Sequence, residues 1–123
     1  MSAAYLRTAL AAVFFACLNA MTSHAQALKC ETGPVTKTYG SGQWLVYSCS
    51  DSKSVAVISA PGNPATPFYF LLHPSDGGYK LEGEGTGDKN ATNAAAQELQ
   101  KLSESNIVVL IEETRKGQNV PAR

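Results

Sequence analysis

The chain has 123 residues, with ten basic and ten acidic side chains and a formal charge of zero. This length suits one domain rather than several. The lysines are scattered and only Arg115 and Lys116 adjoin, so the basic stripe of a nucleic-acid binder is missing.

The first segment reads as a removable secretory signal peptide over 1–25. Arg7 precedes an apolar run from Ala9 to Ala20, and no acidic residue occurs before Glu31. A cationic end, a short apolar helix and a small-residue cleavage site are what export requires. Ser23-His24-Ala25 supplies the small-x-small pattern, which sets cleavage after Ala25, with Ala20 as the weaker alternative. The run is too short for a membrane span, which needs roughly 18 or more apolar residues. Acylation at Cys17 is the competing reading: Ala16 is the small residue before it, but the usual Leu three residues earlier is replaced by Phe14.

Removing the leader removes Arg7, Cys17 and His24. What remains over 26–123 is one small domain with nine basic and ten acidic side chains, a charge of −1. It holds two cysteines, Cys30 and Cys49, and in an exported small domain an even pair reads as one disulfide. The short enclosed loop makes that bond worth about 3 kcal/mol in the chain-entropy picture.

Val35 to Tyr39 alternates as a strand, Gly40-Ser41-Gly42 turns, and Gln43 to Cys49 follows as a second strand. A three-residue turn sets Tyr39 opposite Gln43 and residue 33 opposite Cys49, and Gly33-Pro34 kinks the chain so that Cys30 swings back. Ser50 to Lys53 is the next turn. Ser54 to Ser59 is the third strand, pairing Val57 with Val46 and Ile58 with Leu45. Both faces of this hairpin are apolar, which predicts a central position covered on both sides. The segment 60–67 carries three prolines and is a loop.

Phe68 to Leu72 is the most apolar strand, His73 to Gly78 turns it back, and Tyr79 to Glu84 alternates cleanly. The expected partners are Phe70 with Leu81 and Leu72 with Tyr79. The period then changes. Ala91, Ala95, Leu99 and Leu102 recur at helical spacing, with Asp88 or Asn90 as cap, which predicts a helix from Ala91 to Ser103. Over 107–114 the β-branched content suggests strand, but Ile107, Leu110 and Ile111 keep helical spacing. Ser103 or Ser105 offers a cap, and Glu112 with Lys116 an i,i+4 pair, so a second helix is the favoured reading. Residues 118–123 read as a frayed tail.

The sequence assigns no activity. Gly83 to Lys89 is glycine-rich, but Asp88 stands where a phosphate loop needs Gly, so a strand-to-helix turn explains it better. Asp88-Lys-Asn90-Ala-Thr92 opens like a calcium loop, but Asn93 and Leu99 stand where Gly and Glu are required. Asn90-Ala91-Thr92 matches a glycosylation sequon. His73 is the one histidine after the leader, and neither a zinc set nor a triad with Ser75 and Asp76 forms around it. Glu82 and Glu84 alternate on one strand face, as a glycosidase acid pair would, or simply as a wet surface. Tyr69 shares that face.

The expectation is therefore an α+β fold: an antiparallel meander of about five strands, then one or two helices packed on one face. The candidate contact surface is Tyr69, His73, Asp76, Glu82 and Glu84, together with the loop 60–67. No catalytic residue, metal or cofactor is expected. The function expected is an exported, periplasmic or secreted, non-catalytic protein. Its partner is another protein, an envelope component or a small ligand, and neither nucleic acid nor a retained membrane span is involved. A small secreted enzyme or enzyme inhibitor is the alternative. Convergence of His73, Asp76 or the Glu82/Glu84 pair in a concave pocket would mark the enzyme.

Overall fold

A computed structural model describes residues 27–118 of the chain. The leader over 1–25, its alternative at Cys17 and residues 119–123 lie outside the described residues. Five antiparallel strands form one sheet in chain order: β1 (Thr32–Tyr39), β2 (Gly42–Ser48), β3 (Val55–Ser59), β4 (Phe68–Ser75) and β5 (Gly78–Gly85). Two helices follow, α1 (Lys89–Gln100) and α2 (Glu104–Gln118). This is the expected α+β meander, with both helices formed.

The turns set the registers. Gly40 and Ser41 both have positive φ, 60° and 71°, and Tyr39 pairs with Gly42. That is a two-residue turn whose twist matches the strands it joins. It replaces the expected three-residue turn, so Gln43 faces Thr38 rather than Tyr39. Gly40 is also close-packed: a Cβ there would sit 2.6 Å from the backbone nitrogen of Ala95 in α1. Further along, Thr32 faces Ser48, with a register shift before Val35, so residue 33 does not oppose Cys49. The kink at Gly33-Pro34 is present as this irregularity, and Cys30 reaches Cys49 to form the disulfide. Beside it, the N–H of Ser50 donates to the Lys29 carbonyl at 2.6 Å.

The β2–β3 pairing is as expected, Val46 with Val57 and Leu45 with Ile58. The connecting turn is held by Asp51. Its carboxylate accepts from the N–H of Lys53 (2.9 Å), the N–H of Ser54 (2.8 Å) and the Ser54 hydroxyl (2.5 Å). Partial burial pushes the Asp51 pKa up, but these hydrogen bonds outweigh it and hold the group below its ordinary value.

The β4–β5 hairpin closes on Asp76-Gly77 alone, again with both φ positive (42° and 79°). Ser75 pairs with Gly78, so His73 and Pro74 belong to the strand, not to the turn. Pro74 is tolerated because β3 pairs with β4 only as far as Leu72, leaving no ladder partner for a missing N–H. The expected partners shift by two residues: Phe70 faces Gly83 and Leu72 faces Leu81. An even slip keeps every side chain on its expected face.

One face of the sheet and the two helices enclose the core. Trp44, Val46, Val55, Val57, Phe70 and Leu72 meet Ala95, Leu99, Ile107, Leu110 and Ile111. Trp44 is fully buried; its indole N–H donates to the Tyr39 carbonyl at 3.0 Å and its ring lies 5.3 Å from that of Phe70. Asp88 caps α1, accepting from the Ala91 N–H at 3.0 Å, so the helix starts and ends slightly earlier than expected. Ser103 caps α2, and it and Asn106 exchange hydrogen bonds from backbone to side chain in both directions (3.1 and 2.9 Å). The helical spacing of Ile107, Leu110 and Ile111 decides over their β-branched neighbours: these three are buried, whereas Val108 and Val109 are exposed. Glu112 pairs with Arg115 at 3.0 Å, one residue short of the expected Lys116. Thr114 Oγ1 docks α2 on β2, 2.7 Å from Ser48 Oγ.

Both helices lie on one face, so no helix among the described residues covers the other side of the β2–β3 hairpin, where Ala56 is buried and Leu45 and Tyr47 are half-buried. On the other face Ile58 is 39% exposed and Tyr69 45%.

Two outcomes follow. Replacing Cys30 and Cys49 together by Ser should lower unfolding stability by about 3 kcal/mol, read by denaturant titration. The Asp51 contribution is present above the ordinary carboxylate pKa and is lost as pH falls through the lower folded-state value. Asp51→Asn should therefore cost about 1 kcal/mol at neutral pH and lose less further stability on acidification than the parent.

Candidate functional site

Strand alternation brings four of the five candidate residues to the uncovered face. Tyr69 and His73 project from β4, and their cross-strand partners are Glu84 and Lys80. Glu82 lies between these two, opposite Leu71. The Tyr69 hydroxyl donates to Glu84 Oε2 at 2.9 Å. This hydrogen bond, with the charge of the carboxylate, raises the Tyr69 pKa above its ordinary 10.0. Tyr69 thus meets Glu84 directly; Glu82 shares its face one pair further along. His73 Nε2 lies 3.3 Å from Glu82 Oε2 without a hydrogen bond to it, and Lys80 Nζ lies 3.4 Å from Glu82 Oε1. His73 Nδ1 approaches the Pro74 carbonyl at 3.3 Å.

Asp76 is not part of this group. It sits at the hairpin tip, lining a separate cleft of about 600 Å³ with Ser52, Lys53, Glu104 and Val108. There the Tyr79 hydroxyl donates to the Lys53 carbonyl at 2.7 Å.

The sequence pattern left out the apolar part of the open face. Two rows of side chains cross it from strand to strand. One runs Thr36, Leu45, Ile58, Tyr69, Glu84, and the other Tyr47, Ala56, Leu71, Glu82. Each row is apolar in the middle and acidic at the β5 end. The expected covering of the β2–β3 hairpin on both sides places Leu45, Tyr47 and Ile58 in a second buried layer. The signal that would have placed them in the open was the helix supply, since two helices cover one face of a five-stranded sheet and not both.

At one end of the first row lies a groove of about 390 Å³, lined by Ile58, Ser59, Thr66, Pro67, Phe68, Tyr69, Glu84 and Gly85. Its wall is the proline-rich loop, which is fixed rather than loose. Asn63 is buried; its side-chain amide donates to the Gln43 carbonyl at 2.8 Å and its oxygen accepts from the Ala65 N–H at 2.9 Å. The Thr66 hydroxyl donates to the Ala60 carbonyl at 3.2 Å.

The glycine-rich stretch after β5 is spent on this same wall. The N–H groups of Thr86 and Gly87 donate to the Pro67 carbonyl (3.0 and 3.2 Å), and that of Asp88 to the Pro64 carbonyl (3.0 Å). A Cβ on Gly87 would run into the Ala65 backbone. These amides hold the loop and do not cradle an anion.

The chain matches no protein-family model, and comparison with curated proteins and with solved structures gives no significant match. Among the described residues no helix is long and apolar enough to cross a membrane.

Glu84→Gln removes the charge that opposes phenolate formation at Tyr69. An ultraviolet pH titration of the variant should show one tyrosine shifted down toward 10.0 relative to the parent, and Tyr69→Phe should abolish that difference.

Proposed function

We propose that this is an exported, non-catalytic binding protein whose contact surface is the open face of the sheet. The observation that carries the reading is the exposure of Ile58 (39%) and Tyr69 (45%) side by side at the head of a groove with a rigid wall. An apolar centre with a polar rim is the anatomy of a protein contact. The rim here is Glu82 and Glu84, so the partner presents an apolar side chain beside a cationic group.

Export is supported by the leader pattern over 1–25 and by the Cys30–Cys49 bond, which suits an oxidising compartment. The non-catalytic reading is supported by the dispersal of the reactive groups. Glu84 is engaged by Tyr69 and Asp76 lines a different cleft, while His73 and Glu82 line an open cleft of about 520 Å³ with Leu28 and Asp51, whose carboxylate is taken up by Lys53 and Ser54. Two carboxylates converging on His73 in a deep pocket would have favoured an enzyme.

A photo-reactive residue placed at Ile58, at Tyr69, or at the exposed Val109 of α2 separates the candidate surfaces. Irradiation in the native compartment should give one discrete adduct from positions 58 and 69, weakened by Glu84→Lys, and none from 109. Adducts from position 109 alone would move the contact surface to α2 and overturn the reading.

A further inference from the structure

The sheet has two edges, and they are built differently. β1 is interrupted: its register shifts between Thr32 and Val35, and Pro34 has no N–H to offer. α2 packs along it, with Lys37 Nζ 2.6 Å from Glu113 Oε2. A bulge, a proline and a covering helix are the usual devices that keep an edge from pairing. β5 has none of these three; its protection is limited to the charges Lys80, Glu82 and Glu84, which oppose pairing except where they meet opposite charges. It runs Gly78–Gly85 in unbroken register against β4, with no proline.

The turn geometry fixes which backbone groups of β5 point outward. Ser75 and Gly78 close the two-residue turn and are therefore a hydrogen-bonded pair. Alternation then directs the N–H and C=O of Lys80, Glu82 and Glu84 toward β4. The Thr86 N–H, which donates to the Pro67 carbonyl, keeps this phase. The N–H and C=O of Tyr79, Leu81 and Gly83 face away from the sheet.

We infer that β5 pairs antiparallel with β5 of a second copy of this chain, about a two-fold axis at Leu81. Outward-facing residues must pair with outward-facing residues, so few registers exist. A two-fold centred on Lys80 sets Lys80 against itself, and one centred on Glu82 sets Glu82 against itself on the axis and Lys80 against Glu84, which Tyr69 already engages. Centring on Gly83 sets Glu82 against Glu84, and centring on Tyr79 leaves most of the strand unpaired. Like charges directly opposite are destabilising. Only the Leu81 centre overlaps the strand and sets Lys80 against Glu82 of the second copy, on both sides of the axis. Those two positions form a non-hydrogen-bonded pair, where side chains approach most closely. Both side chains are exposed, at 60% and 52%, and their 3.4 Å pairing within each chain is exchanged for one across the axis. Tyr79 then lies opposite Gly83, which brings no side chain of its own. The result is one continuous ten-stranded sheet.

The test is a charge swap read by sedimentation equilibrium of the exported chain, with circular dichroism confirming that each variant is folded. The parent should be a dimer. Lys80→Glu alone and Glu82→Lys alone each oppose like charges twice and should weaken association about tenfold or more. The double variant restores opposite charges and should dimerise like the parent. Mixing the two single variants should form a heterodimer, since one copy then carries two acids where the other carries two lysines. A monomeric parent overturns the inference. So does a pair of single variants that associate as well as the parent, or that fail to associate with each other while the parent is a dimer.

Discussion

Every strand of this protein sorts its side chains between a face covered by two helices and a face that no helix of residues 27–118 covers. The helices are 12 and 15 residues long, and that much helix can lie over one side of a five-stranded sheet. Trp44, Val46, Val55, Val57, Phe70 and Leu72 fall on the covered side and are buried almost completely. Leu45, Tyr47, Ile58 and Leu71 fall on the other, with the same hydrophobicity and no helix above them; Ile58 is exposed and the other three are half-buried. A solvated sheet face is ordinarily polar. This one is polar only at its margins, with threonines on β1 and acids on β5.

The ends of the sheet are fixed by polar side chains and close backbone contacts rather than by further apolar packing. Asn63 ties the proline-rich loop to β2, and Gly87 lets the chain leaving β5 press against Ala65. Asp51 holds the β2–β3 turn with three hydrogen bonds. The groove beside Tyr69 thus has walls that do not need a ligand to organise them, which reduces the ordering cost of binding.

Much of this was legible in the residues. The strand alternation, the loop 60–67 and the caps at Asp88 and Ser103 follow from local chemistry. Ile107, Leu110 and Ile111 reveal a helix in a segment whose composition favours strand, because spacing reports burial and composition reports only propensity. Turn length was harder to read. Gly40-Ser41-Gly42 looks like a three-residue turn, and His73-Pro74 looks like a strand end. Ser41 and Asp76 instead adopt positive φ and tighten both turns to two residues. At β4–β5 the slip is even, so Tyr69, His73, Glu82 and Glu84 stayed on one face while their partners changed. Asp76 was grouped with them as an exposed turn residue, and the hairpin tip on which it sits belongs to another surface. The open apolar rows were missed because strand pattern alone does not count the helices available to cover it.

The disulfide also bears on what happens when the chain is cut. Cys30 and Cys49 enclose β1, β2 and the exposed turn at Ser41 that joins them. A protease that nicked this turn would open the peptide chain without releasing either piece. The fragment carrying β1 would stay covalently attached to the rest, held in the sheet by its ladder and beneath α2. In a compartment where extracytoplasmic proteases act and thiols stay oxidised, the bond is a safeguard against digestion as well as a restraint on the unfolded state.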